Sequence, residues 1–165
     1  EVLTAAVRTR VLGVAAPDGE RGSRVGLLFS GGLDSTVLAA LAAEALPEGE
    51  QVELLNVAFH NAAPDRLTAL CSFADLVRRY GPRRFRLILS DVQEEEVCCE
   101  ELAICRLLGP EATHLDFNIA AALWFAARGV GLVCPPTLCD EPWWAQVAGD
   151  PAHLAPCCLE LRAGP

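Results

Sequence analysis

The sequence predicts an α/β fold: a parallel twisted sheet with helices on both faces, incomplete at its carboxyl-terminal side. Three observations predict it. Apolar runs of strand length, Val25 to Phe29, Val52 to Phe59 and Phe85 to Leu89, alternate with longer stretches of helical character. The second run is continuous in its apolar character, as strands covered on both faces are. The first run passes through Ser30-Gly31-Gly32-Leu33-Asp34-Ser35 into the Ala- and Leu-rich stretch Val37 to Ala45. That strand, loop and helix order is the one in which backbone amides converge on an anion at a helix N-terminus.

Taken in order, Val2 to Val14 is apolar enough for a short helix or a strand, and the pattern leaves both open. Pro17-Asp18-Gly19-Glu20-Arg21-Gly22-Ser23 reads as a polar linker, so residues 1–23 are expected to be an N-terminal segment and linker. Strand Val25 to Phe29 then leads to helix Ser35 to Leu46, which Pro47-Glu48-Gly49 ends. Strand Val52 to Phe59, helix Leu67 to Tyr80, strand Phe85 to Leu89, helix Gln93 to Leu108 and helix Asp116 to Arg128 follow. Three strands alternating with helices imply parallel pairing through right-handed crossovers, with ligands bound beyond the carboxyl ends of the strands. Residues 24–133 are expected to form the domain. From Cys134-Pro135-Pro136 onward, prolines and a lack of periodicity predict an irregular tail over 134–165, with a short helix around Trp143 to Val147.

The chain has 165 residues, 52% of them apolar, which is one domain's worth of core-forming material. It begins at Glu1 and contains no methionine, which suggests a fragment. No 18-residue uncharged apolar stretch and no basic-then-apolar leader occur, so neither a membrane span nor a secretion signal is expected. The net charge of −9 argues against nucleic-acid binding, which wants clustered positive charge. All 13 basic residues are arginine. Arg78, Arg79, Arg83, Arg84 and Arg86 read as a solvated helix end and strand entry.

Eight cysteines without a secretion signal imply reduced thiols and a cytoplasmic location. Cys71, Cys98, Cys99 and Cys105 fall in helices, where a buried apolar role is expected. Cys134, Cys139, His153, Cys157 and Cys158 lack a Cys-x-x-Cys pair, which argues against a zinc site. Glu94-Glu95-Glu96 suits a helix N-terminus facing water, and His60 and His114 stand alone near loops.

The glycine loop is neither a P-loop, which needs Gly-x-x-x-x-Gly-Lys-Ser/Thr, nor the dinucleotide Gly-x-Gly-x-x-Gly. Ser30-Gly31-Gly32-Leu33-Asp34-Ser35 instead resembles the pyrophosphate loop of the N-type ATP pyrophosphatases, among them the asparagine synthetases. Leu54-Leu55-Asn56-Val57-Ala58-Phe59, Pro64-Asp65-Arg66 and Trp124 to Gly131 resemble, in order and spacing, segments of the asparagine synthetase domain-containing proteins. The resemblance runs from about Arg24 to Gly131. It implies an adenine nucleotide alpha hydrolase-like fold and a ligase that adenylates aspartate with Mg-ATP before ammonia or an amine displaces AMP. Carried over, Ser30, Gly31, Gly32 and Ser35 hold pyrophosphate, Asp34 binds Mg²⁺, and the backbone of Val57 and Ala58 meets adenine. Asp65 matches an acid of less defined role, and Thr113 and Asp116 stand where contacts to the carboxylate substrate are expected.

The departures matter equally. The family's later Ser/Thr-Gly-x-Gly-x-Asp-Glu loop is absent, as is any lysine to face the reacting phosphate. No glutaminase domain is present, so ammonia from glutamine needs another polypeptide or a longer chain, and the uncovered sheet flank suggests a protein partner. Two alternatives to the ligase reading remain at this stage. One is a non-catalytic nucleotide-binding or interaction domain. The other is a tRNA-modifying enzyme with the same loop, which predicts catalytic cysteines and a basic surface; Cys98-Cys99 lies in an acidic stretch instead.

Overall fold

In the computed structural model, residues 1–14, 25–60 and 63–134 are described, together with the backbone of 159–161. The element order is α1 (Val2–Leu12), β1 (Val25–Leu28), α2 (Leu33–Ala45), β2 (Val52–Ala58), α3 (Pro64–Tyr80), β3 (Phe85–Asp91), α4 (Glu94–Leu108), α5 (His114–Ala127), β4 (Gly131–Cys134) and β5 (Leu159–Leu161). The open choice over Val2 to Val14 resolves as a helix. Its Val7 and Val11 enter the core beside Ala39, Ala42 and Ala43 of α2.

β1, β2 and β3 pair in parallel in sequence order, Val25 with Val52 and Val52 with Phe85, so the crossover reading holds. One face of the sheet presents Val52 and Leu54 of β2 and Phe85, Leu87 and Leu89 of β3 to Leu70, Phe73 and Val77 of α3. These strand positions alternate, and the intervening Leu55 and Val57 face α5, whose Ala122 lines one cavity with them. Helices therefore cover both faces. α3 begins at Pro64, earlier than Leu67, because a proline at the first helical position supplies a preset φ and needs no amide partner there.

Two differences from the sequence reading stand out. β4 pairs antiparallel with β3, Leu87 opposite Cys134 and Leu89 opposite Leu132. Two helices instead of one separate these strands, and the chain re-enters at the carboxyl end of β3, where the Ser90 hydroxyl donates to the Val130 carbonyl (2.6 Å). The tail is also not wholly irregular, since Leu159–Leu161 forms β5, antiparallel to β4. The helix expected near Trp143 lies outside the described residues.

The arginine cluster is spent structurally. The Arg84 guanidinium donates to the carbonyls of Pro47 (2.7 Å), Glu50 (2.8 Å), Leu46 (2.7 Å) and Ala43, closing the C-terminus of α2. Arg86 pairs across the strands with Glu53, and Arg78 pairs with Asp75. The expectation of buried helical cysteines fails on α4: Cys98, Cys99 and Cys105 are exposed, and Cys71 is half-buried. α4 buries only Ile104 and so has no core face to receive them. Cys134 is buried in β4, and no metal-ligating cluster occurs among the described residues. Among those residues no helix is long and apolar enough to cross a membrane.

Candidate functional site

β1 ends at Leu28, and the next residue, Phe29, has its backbone gripped from both sides. Its amide donates to the Leu55 carbonyl (2.8 Å), and its carbonyl accepts from Asn56 Nδ2 (2.8 Å). The chain then turns at Gly31 with φ +78°, where an added Cβ would lie 2.4 Å from Ala69 Cα, Ala69 N and Thr68 C. Only a glycine tolerates both that dihedral and that approach. The Gly31 carbonyl accepts from Ser72 Oγ of α3 (2.7 Å) and from Thr36 Oγ1 (3.3 Å). The loop is thus seated on α3.

Gly32 is the N-cap of α2 and supplies no side-chain cap, which leaves the helix's first amides to a ligand or water. Around them the hydroxyls of Ser30 and Ser35 lie 3.4 Å apart. Ser30 Oγ accepts from the Gly32 amide (3.3 Å), and Ser35 Oγ donates to the Gly32 carbonyl (3.1 Å). Asp34 stands exposed in the first turn of the same helix. Beside this loop is a cavity of about 240 Å³. Leu28, Leu55, Val57 and Ala122 form its apolar wall, and Ser30, Asn56 and Asp65 its polar rim.

Of the residues singled out in sequence, Ser30, Gly31, Gly32, Asp34 and Ser35 come together in the loop, and Ser30, Val57 and Asp65 share the cavity. Ala58 is buried, and its carbonyl accepts from the Val92 amide (2.9 Å). Thr113 and Asp116 are occupied elsewhere, because they form the capping box that starts α5. Thr113 Oγ1 donates to Asp116 Oδ2 (2.6 Å), the Thr113 amide donates to the same oxygen (2.8 Å), and the Asp116 amide donates back to Thr113 Oγ1 (3.2 Å). These hydrogen bonds, the Thr113 hydroxyl's first, hold the Asp116 carboxyl below its ordinary range. His60 is exposed, and His114 stacks on Phe117 with ring centroids 6.5 Å apart.

The sequence reading missed the struts beneath the loop. Arg66 is buried and donates to the carbonyls of Asn56 (3.3 Å) and Ser90 (3.0 Å) while pairing with Asp91, so one side chain ties the ends of β2 and β3 together. Asn56 in turn ties β2 to Phe29. Its Oδ1 is buried and has no partner among the described residues. The available signal was an asparagine among the apolar residues at the carboxyl half of β2, Leu54-Leu55-Asn56-Val57-Ala58.

Residues 2–76 match the asparagine synthase family model, a span that takes in α1, the glycine loop, β2 and most of α3. Asparagine synthetase domain-containing protein 1 of Homo sapiens is 29% identical over 79% of this chain and 29% of its own length. Asparagine synthetase domain-containing proteins of Saccharomyces cerevisiae and Drosophila melanogaster are 33% and 35% identical, over 80% and 66% of this chain and 28% and 21% of their own. The chain thus spans less than a third of the length of the curated relatives it matches. No solved structure matches it.

Proposed function

Because this chain belongs to the asparagine synthase family, we propose that the loop between β1 and α2 binds the phosphates of Mg-ATP and that the domain activates a carboxylate, aspartate by resemblance, for amide formation. The observation that carries the reading is the loop itself: two seryl hydroxyls and uncapped helix amides facing one point, on a backbone that glycine alone permits. In this reading Ser30, Gly31, Gly32 and Ser35 hold the β- and γ-phosphates. The carboxylate of Asp34 suits Mg²⁺, an oxygen-seeking cation that neutralises charge on the leaving pyrophosphate. The adjoining apolar cavity takes the adenine against Val57 and the end of β2. Fixed amides and hydroxyls pay no reorganisation cost when charge develops, which is the help this reaction asks of a protein. Nitrogen reaches the site as ammonia from another polypeptide or as an amine, in the cytoplasm.

A second reading, nucleotide binding without turnover, is favoured by one specific feature: among the described residues no basic side chain lines the cavity, and the chain contains no lysine to meet the reacting phosphate. Calorimetric titration of the chain with Mg-ATP, beside Asp34→Ala, tests the binding step. Saturable binding weakened by the substitution supports it, and absence of binding refutes it. Aspartate-dependent release of pyrophosphate then separates ligase from binding domain.

A further inference from the structure

A second cavity, of about 340 Å³, lies between Phe59, just past the carboxyl end of β2, and the helices α4 and α5. The two cavities adjoin along the chain: Val57 and Ala122 line the nucleotide cavity, Phe59 and Ala121 this one. Among the described residues its walls are largely apolar, formed by Phe59, Val97, Phe117 and Ala121, with Glu94 and Asn118 as the polar groups. Phe59 is fixed edge-on to Phe125 of α5, with centroids 6.1 Å apart, so this wall is held by packing.

Charge decides which ligand suits the cavity. Among the described residues none that lines the cavity is basic, and a carboxylate entering it would sit beside Glu94. The N-terminus of α4 carries three carboxylates, Glu94, Glu95 and Glu96, the last accepting from the Gln93 amide (3.0 Å), so an anion approaching it meets like charge. The side chains of Glu94 and Asn118 enter no hydrogen bond or ion pair within the described residues, so both are available to a ligand. A cation with an apolar body satisfies all of these features: ammonium on Glu94 with Asn118 as second acceptor, and hydrocarbon against the two phenylalanines.

We propose that this cavity binds a small primary amine with an aromatic or branched aliphatic body, and that the amine is the acyl acceptor of the amide-forming reaction. The inference rests on the nucleotide reading above and deepens it. In the step, the amine nitrogen forms a C–N bond to the activated carbonyl as the C–O bond to AMP breaks. The bound ammonium must first give one proton to Glu94, and through it to solvent, to free the lone pair that attacks; AMP leaves with the electron pair of the broken C–O bond, and the second proton, released from nitrogen as the amide forms, leaves by the same route.

The test is calorimetry of the full chain, without nucleotide, using phenethylamine and its anionic counterpart 3-phenylpropanoate. Phenethylamine is expected to bind saturably and 3-phenylpropanoate not to bind. Glu94→Gln should weaken the amine about tenfold, the worth of one charge-assisted hydrogen bond, and Phe117→Ala should weaken it as well. Asp34→Ala should leave it unchanged. Equal affinity for the anion, an amine affinity indifferent to Glu94→Gln, or no amine binding overturns the proposal. Mg-ATP is titrated separately, so loss of the nucleotide reading and loss of the amine site give different results.

Discussion

Replacing Gly31 by alanine isolates the geometry on which the candidate site depends. Gly31 has φ +78°, a region that costs an L-residue about 1–2 kcal/mol. The new Cβ would also lie 2.4 Å from backbone atoms of Ala69 and Thr68, which cannot swing aside as a side-chain tip can. Relieving that overlap means lifting the loop off α3, and forced overpacking of this kind costs about 1–3 kcal/mol. The sum is roughly 2–5 kcal/mol, a large share of the roughly 5–15 kcal/mol that holds a domain together. Urea denaturation followed by circular dichroism measures it. Gly32→Ala is the internal control: Gly32 has φ −66°, and its added Cβ meets Ser30 Oγ at 3.4 Å, an ordinary contact. The expected order is a large loss for Gly31→Ala and under about 1 kcal/mol for Gly32→Ala. Gly31→Ala within about 0.5 kcal/mol of wild type would refute the reasoning, because neither the strain nor the overlap could then be real.

Three further outcomes follow from the same structure. Arg84→Ala removes a cation shared by four carbonyls around the end of α2 and should cost about 2–3 kcal/mol in urea unfolding; a loss no larger than that of Arg79→Ala would mean the carbonyls are equally well served by water. The Asp116 carboxyl, held low by Thr113, contributes a capping interaction that is present above the unfolded value of 3.8 and is lost as pH falls through its depressed folded value. Thr113→Ala should therefore raise the Asp116 pKa in an NMR titration, and an unmoved titration would contradict the capping assignment. Burial, reinforced by the charge of Asp75, pushes the Cys71 thiol up, so peptide mapping after brief iodoacetamide treatment should find Cys71 alkylated more slowly than the exposed Cys98, Cys99 and Cys105.

Some of this was readable from residues and some was not, for physical reasons. Mostly apolar runs of strand length at 25–29, 52–59 and 85–89 read as strands because helical stretches alternate with them, and the parallel order follows from those helices. The direction of β4 was not readable, because it depends on whether α4 and α5 return the chain to the start or the end of β3, and neither helix's periodicity carries that information. α1 stayed undecided because an eleven-residue apolar segment fits either period until its partner, α2, is known. The exposure of the α4 cysteines is not legible in sequence, because helix membership does not fix burial and α4 buries a single side chain. The loop itself was legible through its spacing. Its supports at Asn56, Arg66 and Ser72 were not, since each acts on backbone carbonyls from a distant part of the chain.

The lengths of the hydrogen bonds divide the loop into a frame and a socket. The bonds that anchor its ends are short: Asn56 to Phe29 at 2.8 Å, Phe29 to Leu55 at 2.8 Å, Ser72 to Gly31 at 2.7 Å. The bonds inside it are longer: Gly32 to Ser30 at 3.3 Å, Ser30 to Ser35 at 3.4 Å and Thr36 to Gly31 at 3.3 Å, with Ser35 to the Gly32 carbonyl intermediate at 3.1 Å. At these lengths a neutral contact is near the limit of a useful hydrogen bond, whereas an anion drawing the same amide and hydroxyls forms shorter, charge-assisted ones. A phosphate entering the loop therefore exchanges weak internal contacts for stronger ones without disturbing the anchors. Arg66 protects those anchors in turn, since it fixes the strand ends from which Asn56 reaches Phe29. Damage to the frame, at Asn56 or Arg66, should lower stability and anion affinity together. Ser30→Ala, which empties only the socket, should lower affinity with little change in urea midpoint, and a matched fall in both would show that frame and socket are one unit.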